Sequence, residues 1–270
     1  MAPNPSANRD ASPIDVAPAA DAVGAGLCDG SSQMVFTFVR EGGGQAGPTL
    51  MIENGHVFFH VRGDCRYWVS PGNRIGIRGD LADVKTGVLT TDDVAALESL
   101  LAAGRFDEHA GRDYWGSVVD TGPDTIWRRG QRLSCNAFCF WKTDQPELHR
   151  LFSSLLEQIF VWADAGTSVT GDVRIVVVAQ GTGTSDATLW PLADPMANFV
   201  EPNPYSVGPG HGHLVRQPDA EVLRSLRRRV VSAREPYIAV RATVDGPAHV
   251  LHVRDTTPLE DARGLIPRHW

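Results

Sequence analysis

The stretch Met34-Val35-Phe36-Thr37-Phe38-Val39-Arg40 alternates Val35, Thr37 and Val39 against Phe36 and Phe38. Branched and aromatic residues at a period of two favour a pleated strand, and glycines 42, 43 and 44 end it. Working outward, Leu50, Met51 and Ile52 lead into Asn54-Gly55, the dipeptide that a type I′ hairpin turn prefers because both central residues need positive φ. Residues 56–62 read as the return strand, and residues 65–69 extend the sheet after Gly63. Residues 90–104 read as a helix, with threonines at its start, Asp92 and Asp93 in the first turn and Gly104 as the stop. A second helix begins at Asp144 with Pro146 in its first turn and keeps a 3.6-residue period through Leu148, Leu151, Phe152, Leu155, Ile159 and Trp162. Between them, residues 125–128 and 131–134 flank Arg129-Gly130 as two short strands.

The order β-β-β-α-β-β-α predicts an α+β fold: an antiparallel sheet with two helices packed on one face. A polar joint at residues 167–172 precedes a near-continuous apolar strand at 173–179 and a long Gly/Pro-rich passage. A helix over residues 218–234 follows, then strands at 237–244 and 248–254 around Asp245-Gly246-Pro247. The expected organisation is a disordered Ala/Pro-rich tether at 1–27, an α+β domain at 28–166, and a smaller β-α-β-β region at 167–270 that is a second domain or an extension of the first sheet.

Length and composition narrow the functional classes. The 270 residues are 42% hydrophobic and 21% charged, ordinary globular usage that excludes collagen-like and wholly disordered chains. No run of 18 apolar residues occurs, so no transmembrane helix is expected. A formal net charge of -7 has the wrong sign for a phosphate backbone, so nucleic acid is not an expected partner. Only Lys85 and Lys142 of the 25 basic residues are lysines, a bias that GC-rich coding explains. The run Arg227 to Arg229 falls on a helix with Asp219 and Glu221 and is expected on a solvated face.

Residues 1–27 have no aromatic side chain and too little apolar surface to offset their ordering entropy. Four cysteines, an even number, suit an oxidising compartment. The expected address is extracytoplasmic (periplasmic, anchored to the outer membrane, or secreted), with the signal sequence missing from this chain; the alternative is a cytoplasmic protein with free thiols. Cys135 and Cys139 enclose three residues, close enough for a disulfide, and that pairing leaves Cys28 with Cys65. A Cys-x-x-x-Cys zinc half-site has no second close pair to complete it.

Several elements together, namely Gly42 to Gly44, Asn54-Gly55, Gly104-Arg105-Phe106, Pro123-Asp124-Thr125 and the helix from Pro146, resemble the uncharacterised domains of predicted lipoproteins from GC-rich bacteria. The resemblance implies an extracytoplasmic address and supplies no known activity.

Among chemical motifs, His211-Gly212-His213 is the sharpest, because i and i+2 imidazoles on a strand share a face and could share a divalent metal. The spacing matches the first cupin motif, but Gln217 and Pro218 stand where its Glu belongs. Gly181-Thr182-Gly183 lacks the third glycine of a dinucleotide loop, and Pro191 and Pro195 forbid the helix that must follow. No Gly-x-Ser-x-Gly elbow occurs. The triplets Arg62 to Asp64 and Arg78 to Asp80 read as turn chemistry. Asp107, Glu108, Asp113, Asp120 and Asp124, beside Tyr114 and Trp115, lack the order of a calcium loop and read as a solvated loop that could border a groove. The first expectation is a non-catalytic binding or envelope-structural module with an envelope or extracellular ligand and no cofactor. The second is a metal-dependent hydrolase centred on His211 and His213.

Overall fold

The computed structural model describes residues 26–40, 57–72, 81–114, 123–136, 145–179, 186–201, 212–233, 235 and 237–257. The Asn54-Gly55 turn lies outside them. The chain is α+β, with two open sheets. Its first part contains β1 (Met34–Arg40), β2 (Val57–Arg62), β3 (Arg66–Pro71), β4 (Lys85–Val88), helices α1 (Thr91–Ala103) and α2 (Phe106–His109), β5 (Asp113–Tyr114), β6 (Asp124–Arg128), β7 (Gln131–Cys135), α3 (Pro146–Ala165) and β8 (Thr167–Ser168). These strands form one sheet in the order β5-β7-β6-β1-β2-β3-β4-β8, antiparallel except for the β5–β7 pair. The β6–β7 hairpin turns on Arg129 at φ 47° and Gly130 at φ 79°, the two left-handed residues that a type I′ turn requires.

One face of this sheet presents Phe36, Phe38, Phe59, Val69, Ile126 and Leu133 to the buried stripes of α1 and α3. Trp162 of α3 fixes the docking. Its ring stacks on Phe59 with centroids 4.6 Å apart, its indole N–H donates to Asp93 Oδ1 at 2.8 Å, and its carbonyl accepts from Tyr67 Oη at 2.8 Å. Asp93 also closes the capping box of Thr90 at the start of α1. Gly104 ends α1 for a steric reason: at φ -82° it is not left-handed, but a Cβ there would lie 2.6 Å from Leu151 of α3. The opposite face is buried as well, with Val39, Phe58, Trp68 and Trp127 beside a Thr37–His60 hydrogen bond of 3.0 Å.

The second part contains β9 (Val173–Ala179), β10 (Thr188–Leu189), a 3-10 turn (Met196–Phe199), β11 (Val200–Glu201), β12 (His213–Val215), α4 (Asp219–Ala233), β13 (Ile238–Arg241) and β14 (Ala248–Asp255). Its sheet runs β10-β13-β14-β9-β11, with β12 also on β9. Leu223 and Leu226 of α4 pack on Ile175, Val177, Leu251 and Val253.

The expectation that the run Arg227 to Arg229 lies on a solvated face holds for Arg228 and Arg229, which are exposed, and is corrected for Arg227. Arg224 and Arg227 are 1% and 0% exposed, because their positions fall on the same helical stripe as Ala220 and Leu223. Both guanidiniums converge on Asp255, itself 1% exposed, at 2.5 Å from Arg224 Nε and 2.8 Å from Arg227. Asp255 Oδ2 further accepts from the Val84 amide at 3.1 Å, and Arg227 pairs with Asp83. Residues 83 and 84 lead directly into β4, so this cluster joins the second sheet to the edge of the first. Asp124, placed by its neighbours in a solvated loop, is likewise 3% exposed and bonded to Arg40 at 2.6 Å.

A disulfide joins Cys28 to Cys65 with Cα atoms 5.2 Å apart. Around it the chain is stitched to the β2–β3 turn by Gly30 N–H to Gly63 O and Gly63 N–H to Gln33 O, both 2.8 Å. Gly63 suits this approach, since a Cβ would lie 2.9 Å from the Ser31 carbonyl oxygen and against the Asp29 and Ser31 side chains. Leu27 is buried, and its amide donates to Glu98 of α1 at 2.7 Å. Cys135 is disulfide-bonded as well; Cys139 lies outside the described residues.

Two outcomes follow from this packing. Replacing both Cys28 and Cys65 by serine should lower unfolding free energy by about 2–4 kcal/mol, because the closed loop restricts the unfolded chain; denaturant melts of oxidised wild type and variant measure it. For Asp83, burial pushes the carboxyl up, but Arg227, aided by Arg228 and Lys85, outweighs it and holds the group below its ordinary value. A depressed carboxyl contributes stability above its unfolded pKa of about 3.9, and that contribution is lost as pH falls through the folded value. Melting temperature should therefore fall below about pH 4, and Asp83→Asn should flatten that acid limb while lowering stability at neutral pH.

Candidate functional site

Where the two sheets meet, a cleft of about 550 Å³ opens on the outer face of the first sheet. Strand register builds its floor: Trp68 on β3 stands opposite Thr86 on β4, and Thr86 opposite Thr167 on β8, so the three share one face. Arg66 lies two residues before Trp68 on that face. One wall comes from Thr170 and Gly171, which connect β8 to β9, and the other from Thr256 and Thr257 beyond the end of β14.

The arginine cluster holds both walls. Arg224 donates to Gly171 O at 2.6 Å and to Asp172 O at 3.2 Å. Asp172 O accepts in turn from the Thr256 amide at 3.1 Å and from Thr256 Oγ1 at 2.9 Å. The side chain that anchors Arg224, Asp255, immediately precedes Thr256. The cleft is rich in hydroxyls, has an indole in its floor, and has Arg66 as the only charged lining residue among the described residues.

A second constellation surrounds His213. β11 and β12 lie on the same edge of β9: Val200 and Glu201 pair with Val177 and Val178, and His213 to Val215 pair with Ile175 to Val173. This brings His213 Nε2 within 3.9 Å of Glu201 Oε1. Phe199 packs edge-on against the imidazole at 5.3 Å and is itself 5.3 Å from the ring of Trp190. The imidazole is half-exposed and the carboxylate mostly covered. His211, the other half of the expected metal pair, lies outside the described residues. Among the described residues no group of three or more His, Cys, Asp or Glu is placed to hold a metal. Glu201 was not singled out in the sequence because nine residues separate it from the His-x-His pair; the shared edge of β9 brings it to His213.

The remaining candidates resolve into local structure. In the first Arg-Gly-Asp triplet, Arg62 Nε bonds Asp64 at 2.9 Å, and this hydrogen bond holds the Asp64 carboxyl at about 2. The triplet's charges thus face each other across the β2–β3 turn; the second triplet lies outside the described residues. In the acidic stretch, Asp113 pairs with Arg132 and Glu108 with Arg105. Tyr114 bonds His109 Nδ1 at 2.6 Å, and His109 Nε2 stands 3.5 Å from Glu147, which ties α2 to β5 and α3. Asp120 and Trp115 lie outside the described residues. No helix among the described residues is long and apolar enough to cross a membrane.

Comparison with family models, curated proteins and solved structures finds no match to this chain, so the functional reading rests on the geometry of its own residues.

Proposed function

We propose that this chain is an extracytoplasmic binding module, tethered or secreted, that holds a small polar ligand without transforming it. The observation that carries the reading is the cleft between the sheets. Its lining is concave and hydroxyl-rich, and its walls are fixed by buried ion pairs, so little ordering remains to oppose a ligand. Among the described residues the lining is made of hydroxyls, backbone, an indole and one guanidinium, groups suited to holding a polar ligand. The Cys28–Cys65 disulfide supports the extracytoplasmic address, since such bonds persist in oxidising compartments.

A second reading, a metal-dependent hydrolase, is favoured by the approach of Glu201 to His213, an oxygen and a nitrogen donor on one sheet edge. Metal analysis of the purified chain separates the two. The binding-module reading expects no stoichiometric zinc, iron or manganese. Metal at one equivalent, lost in both His213→Ala and Glu201→Gln, would establish the alternative.

For the cleft itself, a thermal-shift screen of small polar metabolites should find a compound that raises the wild-type melting temperature and is recovered unchanged. Thr86→Trp, which fills the floor, should abolish that shift. Turnover of the compound, or an equal shift in the filled variant, would overturn the reading.

A further inference from the structure

We infer that the cleft selects a hydroxylated anion, an acidic sugar or sugar phosphate; the inference rests on the binding-module reading and names its ligand class. It follows from which hydrogen-bonding capacities the lining leaves open. Thr86 Oγ1 donates to Tyr67 O at 2.7 Å, Thr167 Oγ1 to Thr86 O at 3.3 Å, and Thr256 Oγ1 to Asp172 O at 2.9 Å. A hydroxyl has one proton and two lone pairs, so these three present acceptors alone to a ligand. Ligand O–H groups satisfy them; a bare anion does not. Ser168 adds no donor to the floor: it pairs with Lys85 across β4 and β8, on the sheet face opposite Thr86 and Thr167, and its Oγ accepts from Lys85 Nζ there at 2.7 Å.

The charge of the lining points the same way. Arg66 is the cation of the lining, and no carboxylate stands among the described lining residues. Asp64, beside it in sequence, is engaged by the Arg62 guanidinium. Arg66 forms no ion pair among the described residues, so its planar fork is available to a carboxylate or phosphate, the geometry that guanidinium matches best. In a chain of net charge -7, the described lining carries a cation and no acid, and the carboxylate nearest to Arg66 in sequence, Asp64, is bonded through its side chain to Arg62. An anion donor at Arg66 and acceptors at Thr86, Thr167 and Thr256 together describe a molecule with one acidic group and several hydroxyls. The floor indole does not offer a stacking platform: Trp68 is 3% exposed and lies under Arg62 at 5.6 Å. Selectivity therefore comes from polar groups.

Isothermal titration of the full chain tests this with galacturonate, glucose 6-phosphate, galactose and inorganic phosphate. At least one acidic sugar should bind, and the tighter of the two identifies carboxylate or phosphate as the source. Galactose and inorganic phosphate should each bind at least about tenfold more weakly than that sugar, and Arg66→Met should lose about tenfold for it. Thr86→Trp should bind none of them, and Thr170→Trp fills the same cleft from the loop should the first variant misfold. Galactose matching the acidic sugars, with Arg66→Met unaffected, overturns the anionic class and leaves the cleft reading in place. Inorganic phosphate matching glucose 6-phosphate overturns the requirement for hydroxyls. Undiminished binding to both filled variants moves the site elsewhere and overturns the cleft reading too. No binding by any probe overturns the ligand class.

Discussion

Asp255 is the point on which the arrangement of the two sheets depends. A carboxylate that is 1% exposed is costly to bury, and here it is compensated by two guanidiniums that are equally buried and by the Val84 amide. Each partner belongs to a different piece of the chain: the arginines to α4, Val84 to the lead-in of β4, and Asp255 to the end of β14. A buried pair of this kind contributes less net stability than its Coulomb attraction suggests, but losing one partner strands a charge at a cost of about 3–5 kcal/mol. Its consequence is specificity of placement. Arg224 simultaneously grips the carbonyls of residues 171 and 172, so the same cluster that joins the sheets sets the walls of the cleft.

The first sheet is organised by a different device, a large apolar core docked through one tryptophan. Trp162 places a large ring on Phe59 and meets both its indole N–H and its carbonyl with partners on separate elements. Burial and the nearby Asp93 carboxylate raise the Tyr67 phenol above its ordinary value, so it stays protonated and able to donate to Trp162. The disulfide and Leu27 close the far edge of this core by tying residues 26–33 to the β2–β3 turn.

Much of this was legible in the sequence where a local rule acts alone. The 173–179 run, the Arg129-Gly130 hairpin and the helices on either side of it follow from β-branching, positive φ and 3.6-residue spacing, and the structure places them within a few residues of expectation. The pairing of Cys28 with Cys65 followed from the short spacing of the other two cysteines. What escaped is set by partners distant in sequence. β4 reads Lys-Thr-Gly-Val with no alternation, and β8, β10, β11 and β12 are two or three residues long, so register with a neighbour defines them. Arg224 and Arg227 look like surface charge until they are counted on the stripe of Ala220, Leu223 and Leu226, where two arginines call for a buried acid. That acid, Asp255, is 28 residues beyond Arg227. The cleft was invisible for the same reason, since its floor and walls come from four separate segments.

The central claim is that one carboxylate couples the second sheet to β4 and to the cleft walls. Hydrogen–deuterium exchange on Asp255→Asn, compared with wild type, tests it most directly. The substitution keeps the side-chain shape and removes the charge. The expected result is loss of protection at the Val84 amide, at residues 169–172 and at Thr256 together, while the amides of α3 keep theirs. Loss confined to α4, with Val84 and Thr256 still protected, would contradict the claim.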